Sequence, residues 1–194
     1  MEPLLIDVPQ RLETERLVLR CPQPGDGTAL NAAVCESLAE LQPWMPWAQK
    51  APTADESELE CRRMHGRFAL REDLVLFLLE RRADGSEGAL LGGSGLHRID
   101  WAVPRFEIGY WRRSGRGGKG LIGEAVRALN RMAFDRLGAR RVEVRMDALN
   151  ERSIRVAERA GFTFEGVLRQ DARTPHGQPR DTRVYARVRG FEEA

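Results

Sequence analysis

The segment best suited to chemistry is residues 113–120, which read Arg-Ser-Gly-Arg-Gly-Gly-Lys-Gly. Glycines let a backbone turn so that its N–H groups converge, and the N-terminus of a following helix adds partial positive charge. The side chains of Arg113, Arg116 and Lys119 can neutralise further negative charge. This segment therefore predicts a phosphate-binding loop.

The spacing of this loop leaves several interpretations open. A magnesium-binding P-loop requires Ser or Thr after Gly-Lys, but here Gly120 follows Lys119. The dinucleotide fingerprint G-x-G-x-x-G is matched by Gly115, Gly117 and Gly120, although a lone match is weak. The dinucleotide fold also needs further βα crossovers, whereas this chain ends in a predicted hairpin. A flexible glycine turn without a ligand is a further interpretation.

Hydrophobic periodicity places the loop between a strand and a helix. Short turns join the early and the late neighbouring strands, so these pairs are expected to be antiparallel. The helix after the loop implies a parallel central pair. The prediction is one α+β domain over residues 1–194 with a mixed sheet. Its strands are predicted at 17–20, 74–82, 89–99, 105–112, 140–147, 162–172 and 181–190, and its helices at 26–41, 54–70, 121–137 and 151–160.

Composition argues against several classes of function. The formal net charge of +2 over 194 residues is too small for a protein that binds nucleic acid through its phosphates. Cys21, Cys35 and Cys61 form no CxxC pair, so neither a disulfide framework nor a cysteine zinc site is expected. No signal peptide and no apolar window of about 18 residues are recognised. We therefore expect a cytoplasmic protein without a metal, a nucleic acid or a membrane partner.

Spaced blocks over nearly the whole chain resemble the GNAT acetyltransferase superfamily, and the opening resembles its RimJ/RimL branch. The blocks are residues 12–20, 44–47, 106–111, 118–125, 147–153 and 160–166. The resemblance implies a GNAT-type fold, with a central sheet splayed at the coenzyme A site and about four flanking helices. It also implies direct transfer of the acetyl group of acetyl-CoA to a primary amine, without a metal and without an acyl-enzyme.

The resemblance leaves the acceptor and the assembly open. A protein N-terminus, as in RimJ/RimL enzymes, competes with a small-molecule amine. The alternative to an enzyme is a non-catalytic module that binds coenzyme A. A homodimer is suggested by family habit alone.

Cofactor contacts implied by the resemblance lie on the strand before the loop, on the loop itself and on the next-but-one helix. The family's loop pattern, Gln/Arg-x-x-Gly-x-Gly/Ala, places Gly115 where a Gln or Arg is usual, and Arg113 or Arg116 could supply the missing cation. The implied cofactor-binding residues are Ile108, Gly109, Tyr110, Arg113, Gly115, Arg116, Gly117, Gly118, Lys119, Gly120, Asn150 and Ser153.

The resemblance also implies the catalytic residues. Ser153 matches a position that touches the sulfur, and its hydroxyl could donate to the departing thiolate. The alternative is that Asn150 and Ser153 only cap a helix. Many family members carry a tyrosine four residues later, where this chain has Ala157. No tyrosine is therefore available at that position, and Ser153 is the better candidate for the general acid.

Glu165 matches the glutamate proposed as base in RimL-like enzymes, and Glu107 is the second candidate. Either could instead be an ordinary exposed strand glutamate. Trp44 and Trp47 are expected to wall a substrate pocket, with covering of the core as the alternative. The three histidines lack metal-ligand spacing, and His97, which follows a glycine-rich strand, is the one to examine for a direct role.

Overall fold

The computed structural model describes residues 2–116, 118 and 120–191. Within them, one eight-stranded sheet carries four α-helices. A short 3₁₀ helix at Pro3–Leu5 precedes the sheet. The helices are α1 (Gly27–Leu41), α2 (Ala54–Ala69), α3 (Leu121–Arg136) and α4 (Glu151–Arg159), and the strands are β1 (Arg11–Glu13), β2 (Leu17–Arg20), β3 (Leu74–Arg81), β4 (Glu87–Asp100), β5 (Arg105–Arg112), β6 (Arg141–Asp147), β7 (Thr163–Arg173) and β8 (Pro179–Val188).

The strands follow the order β1-β2-β3-β4-β5-β6-β8-β7 across the sheet. All neighbouring pairs are antiparallel except β5 and β6, which are parallel. The predicted mixed α+β architecture is therefore confirmed. The three-residue strand β1 was not predicted, because it is too short to show a periodic pattern.

Helices cover both faces of the sheet. Buried side chains of α3 and α4, such as Leu129 and Ile154, join one core cluster with Phe106 and Ile108 of β5. Side chains of α1 and α2 pack on the other face, in a smaller cluster that Trp111 of β5 borders. Successive residues of β5 therefore face different layers, as strand geometry requires.

The sheet opens between β5 and β6. The two strands are paired only from Arg105 with Arg141 to Glu107 with Glu143. Beyond Glu107, β5 keeps its pairing with β4, and β6 keeps its pairing with β8. The predicted splay is confirmed, and residues 108–112 of β5 present a backbone edge without a β6 partner.

The first turn of α3 is tied to the far edge of the sheet. The Glu124 carboxylate accepts hydrogen bonds from Thr14 Oγ1 at 2.6 Å, the Arg16 backbone N–H at 3.0 Å and Arg16 Nε at 2.7 Å. Gly120 is the N-cap residue of α3, with a φ of +87° that favours glycine. These contacts hold the start of α3, and with it the end of the glycine-rich loop, in place.

Candidate active site

A cavity of about 670 Å³ lies against the opening between β5 and β6. Its wall is shared by the segment after α1, by α2, by strands β3 to β6 and by the start of α4. Many of the predicted site residues meet in it. These are Trp44, Trp47, Glu107, Ile108, Gly109, Tyr110, Asn150 and Ser153.

Ser153 lies in the first turn of α4, on the α3/α4 side of the opening. Asn150 is the N-cap residue, and its side chain accepts a hydrogen bond from Ser153 N–H at 3.1 Å, so the expected capping is present. The Ser153 hydroxyl itself lies 2.7 Å from the Tyr110 hydroxyl. Capping therefore uses the backbone of Ser153 and leaves its hydroxyl available for chemistry.

Tyr110 was predicted among the cofactor-binding residues, and its side chain reaches the site. Its hydroxyl also lies 3.2 Å from the Ser153 carbonyl oxygen. Burial raises the pKa of Tyr110 to about 12, so the phenol keeps its proton at neutral pH. A tyrosine donor is thus present although Ala157 occupies the usual family position. Strand alternation was the signal that could have found it, since it places Tyr110 on the face of Ile108, toward α4.

Glu107 lies on the opposite face of β5, toward α1 and α2. Its side chain is 18% exposed, and burial raises its pKa. Arg98 Nη1 approaches Glu107 Oε2 at 3.6 Å, but this oxygen has no hydrogen-bond partner. The separation suits an ion pair and is too long for a hydrogen bond. Glu107 therefore offers the cavity a buried carboxylate with hydrogen-bonding capacity to spare.

Glu165 lies apart from this arrangement. It belongs to the outermost strand β7, and its carboxylate pairs with Arg141, whose Nη1 is 2.8 Å from Glu165 Oε1 and whose Nη2 is 2.5 Å from Oε2. This hydrogen bonding by Arg141 lowers the pKa of Glu165, the reverse of what a base at neutral pH needs. Glu165 does not line the cavity. The structure brings Glu107, and not Glu165, to the opening.

The glycine-rich loop connects β5 to α3 and is described in part, since Gly117 and Lys119 lie outside the described residues. Gly115, Gly118 and Gly120 have φ of +69°, +140° and +87°, conformations that glycine permits at little cost. No atom would contact a Cβ built on Gly118 or Gly120 within 4 Å. The loop therefore has open space at the N-terminus of α3, which fits the pyrophosphate of coenzyme A.

Two of the three predicted cations of the loop, Arg113 and Arg116, are among the described residues, and they differ in their surroundings. The Arg113 guanidinium is bound to Glu36 of α1, with Nε at 2.7 Å and Nη2 at 2.5 Å from Oε2, so its charge is already neutralised. Arg116 lines a second cavity of about 500 Å³ together with Gly118, Arg16 and Arg81. Arg116 is the better placed of the two for a phosphate.

The two tryptophans lie in the segment between α1 and α2. Their side chains line the cavity, with 39% of Trp44 and 53% of Trp47 exposed. Trp47 packs edge-on against Trp111 of β5, with ring centroids 5.9 Å apart. They form an aromatic wall on the α1/α2 side of the cavity.

Among the described residues, no group of three or more His, Cys, Asp or Glu side chains is arranged to hold a metal ion. None of the described helices is long and apolar enough to cross a membrane.

Comparison with known proteins agrees with this geometry. A family model described as an acetyltransferase (GNAT) domain matches residues 16–163. A Bacillus subtilis protein named "Putative ribosomal N-acetyltransferase YdaF" is 30% identical, over 89% of this chain and 91% of its own length. The ribosomal-protein-serine acetyltransferase of Escherichia coli is 26% identical, over 90% of this chain and 94% of its own.

Among solved structures, RimL, a ribosomal alpha-N-protein acetyltransferase in complex with coenzyme A, superposes with a TM-score of 0.81 at 23% identity. The superposition covers 93% of this chain and 97% of the RimL chain. At this level of identity the likeness concerns the fold.

Proposed function

Because the chain belongs to the GNAT acetyltransferase family, and is thereby an acetyl-CoA-dependent N-acetyltransferase, we propose that its acceptor is the N-terminal amine of a protein. The observation that carries the chemistry is the opening beside β5, with Ser153 on one side and Glu107 on the other. If the acetyl group of the cofactor lies in that opening, the sulfur of coenzyme A lies on the side of Ser153 and the attacking amine lies on the side of Glu107.

The cofactor would lie along the free edge of β5. Bound acetyl-CoA supplies a thioester whose carbonyl carbon is open to attack by an amine. Backbone N–H groups among Ile108, Gly109 and Tyr110 can hold the carbonyl oxygen as negative charge develops on it. The start of α3 and Arg116 would hold the pyrophosphate.

Ser153 and Tyr110 act on the leaving group. The Ser153 hydroxyl donates a proton to the thiolate, and protonation of the sulfur favours release of the product. When the Ser153 hydroxyl donates its hydrogen toward sulfur, Ser153 Oγ accepts a hydrogen bond from the Tyr110 hydroxyl, 2.7 Å away. Tyr110 therefore positions Ser153.

Glu107 acts on the acceptor. An amine arrives from water as an ammonium, and the negative charge of the Glu107 carboxylate on the cavity wall attracts it. In this proposal Glu107, and not Glu165, is the carboxylate that binds the acceptor, and Glu165 stabilises the hairpin of β7 and β8 against β6 through Arg141.

A protein N-terminus is favoured over a small amine by two observations. The similar proteins are named for ribosomal-protein acetylation. The aromatic wall of Trp44 and Trp47 is also exposed beside a cavity of about 670 Å³, which leaves room for several residues of an extended peptide.

The test is the release of free coenzyme A from acetyl-CoA with a panel of acceptors. Peptides with a free N-terminus are compared with the same peptides blocked at the N-terminus and carrying an internal lysine, and with polyamines and amino-acid amides. The expected result is turnover with free N-termini only, with mass spectrometry locating the acetyl group on the α-amine. Turnover with polyamines alone would assign a small-molecule acceptor. Binding of acetyl-CoA without turnover of any acceptor would support the non-catalytic module.

We also propose a cytoplasmic location and a homodimer. The location is supported by the three free cysteines, Cys21, Cys35 and Cys61, which suit a reducing compartment. The dimer follows family habit alone. Light scattering of the purified protein measures its mass directly, and a monomer at micromolar concentration would rule the dimer out.

A further inference from the structure

An aspartate and a histidine are paired on the acceptor side of the cavity. Asp73 directly precedes β3, and His97 lies on β4. His97 Nδ1 is 2.6 Å from Asp73 Oδ1, and both residues line the cavity. A carboxylate only accepts, so the pair places the hydrogen on Nδ1 and leaves Nε2 with a free lone pair. Neither Asp73 nor the orientation of the ring was foreseen from the sequence.

The imidazole ring lies over two glycines. Its Cε1 is 3.0 Å from the position of a Cβ on Gly95, and its Nε2 is 3.1 Å from that of a Cβ on Gly109. Gly95 and Gly109 face each other across β4 and β5, as do His97 and Glu107. Gly109 belongs to the part of β5 that has no β6 partner. Nε2 therefore lies against the stretch of β5 that borders the opening, on the same face as Glu107.

From this geometry we propose that His97, oriented by Asp73, is the base that removes the proton from the acceptor amine, while Glu107 binds the ammonium. The inference rests on the proposed function and assigns the proton acceptor that this function requires. Glu107 is less suited to that step, because it lies where β5 and β6 are still paired and beside Arg98. The carboxylates of Asp73 and Glu107 both stabilise the imidazolium that forms.

The protons balance as follows. The ammonium gives one proton to His97 Nε2, and the neutral amine then attacks the thioester carbon. A C–N bond forms, the C–S bond breaks, and the electron pair leaves with sulfur. The second proton leaves the nitrogen to water, sulfur takes a proton from Ser153, and water restores the Ser153 hydroxyl. The imidazolium returns its proton to solvent through the cavity, since the His97 side chain is 31% exposed. One proton is released for each amide formed.

Other charged groups face the same cavity and could shape its pH dependence. Besides Asp73 and Glu107, they come from α2 and the segment before it, from β6 and its C-terminal end, and from β8. They are Lys50, Glu56, Glu60, Arg63, Arg67, Arg145, Asp147 and Arg180. A variant test must therefore show that the titration belongs to His97 itself.

The test compares the pH dependence of kcat, at a saturating concentration of peptide acceptor, for wild type, His97→Gln and Glu107→Gln. Wild-type activity should fall on the acid side as the base becomes protonated. His97→Gln should lower kcat about 10²- to 10⁴-fold and remove the acid-side fall in kcat. Glu107→Gln should mainly raise KM for the amine and leave the acid-side fall in kcat in place. His65→Gln is the matched control, because His65 hydrogen-bonds to the Pro22 carbonyl oxygen at 2.9 Å and lies outside the cavity.

Chemical rescue gives a second readout. His97→Ala leaves room beside Gly95 and Gly109, so added imidazole should restore part of its activity in proportion to concentration. Imidazole should not rescue Glu107→Ala. Circular dichroism and thermal midpoints close to those of wild type show that each variant is folded.

The proposal is overturned if His97→Gln keeps at least half of wild-type kcat, or if the acid-side fall persists in His97→Gln and disappears in Glu107→Gln. Failure of the proposed function is distinct, because wild type would then release no coenzyme A with any free N-terminus.

Discussion

Removal of the Tyr110 hydroxyl tests the acid side of the site most directly. Tyr110→Phe keeps the ring that packs between β5 and α4 and removes only the group that lies 2.7 Å from Ser153 Oγ. Leaving the partly buried Ser153 hydroxyl without its partner costs about 1–3 kcal/mol. If Ser153 is oriented by that bond when it protonates sulfur, the same free energy appears in the barrier. The expected fall in kcat is therefore about 5- to 150-fold.

The assay is steady-state release of coenzyme A at saturating peptide acceptor. KM for acetyl-CoA should stay within about twofold, because the contacts of β5 with the cofactor are made by its backbone. Tyr185→Phe is the matched control, since Tyr185 is the other of the two tyrosines and donates at 3.2 Å to Glu158, outside the cavity. It should leave kcat unchanged.

A double-mutant cycle separates positioning from a merely structural role. If Tyr110 acts through Ser153, the variant that combines Tyr110→Phe with Ser153→Ala should be no slower than Ser153→Ala alone. If the decreases in kcat of the two single variants multiply in the double variant, Tyr110 does not act through Ser153. A kcat of Tyr110→Phe within twofold of wild type would lead to the same conclusion.

Three further predictions concern charged side chains on β5, on β7 and in the glycine-rich loop. Glu107→Gln should raise KM for the amine about tenfold at neutral pH. In wild type, KM for the amine should rise as pH falls toward the raised pKa of Glu107, and this rise should begin at a higher pH than protonation of an exposed glutamate would cause. In Glu107→Gln this pH dependence of KM should be absent. Glu165→Gln should leave kcat unchanged and lower stability by roughly 0–1 kcal/mol at pH 7. Because the pKa of Glu165 is lowered in the folded state, the stabilisation by its ion pair with Arg141 is present above the unfolded-state pKa and is lost as pH falls through the folded-state pKa. The thermal midpoints of variant and wild type should therefore converge in acid. Arg116→Ala should raise KM for acetyl-CoA up to about fivefold without changing kcat, and an unchanged KM would remove Arg116 from the cofactor site.

Much of the fold could be predicted because its elements are long and regular. The helix that ends before Gly138 and the alternating strand 105–112 both carry a periodicity that local sequence displays. The sheet order could not be read in this way. The insertion of β8 between β6 and β7 is decided by tertiary pairing, such as Val144 with Tyr185 and Phe164 with Tyr185, and no local pattern encodes it.

Local sequence predicts the position of the loop end, since Gly120 is the N-cap residue of α3, but it does not predict side-chain partners that come from distant elements. Glu165 occupies a motif position, but its surroundings depend on Arg141, 24 residues earlier in the chain. Asp73 lies outside every motif block, and its pairing with His97 exists only because β3 and β4 are neighbours. Such partners are set by strand pairing over long sequence separations.

The alternation of β5 explains how a chain without the usual family tyrosine can still separate acid from base. Glu107 and Gly109 face the α1/α2 side, where Gly109 leaves room for the His97 ring, and Tyr110 faces the α3/α4 side beside Ser153. A strand reverses its side chains at each residue, so neighbours only one residue apart lie on opposite sides of the opening. In the proposed mechanism, an amine that enters past the tryptophans therefore meets proton acceptors, and the sulfur beyond β5 meets proton donors. A one-residue insertion in β5 after Glu107 would exchange the faces of Gly109 and Tyr110, and should abolish acetyl transfer even if the strand still forms.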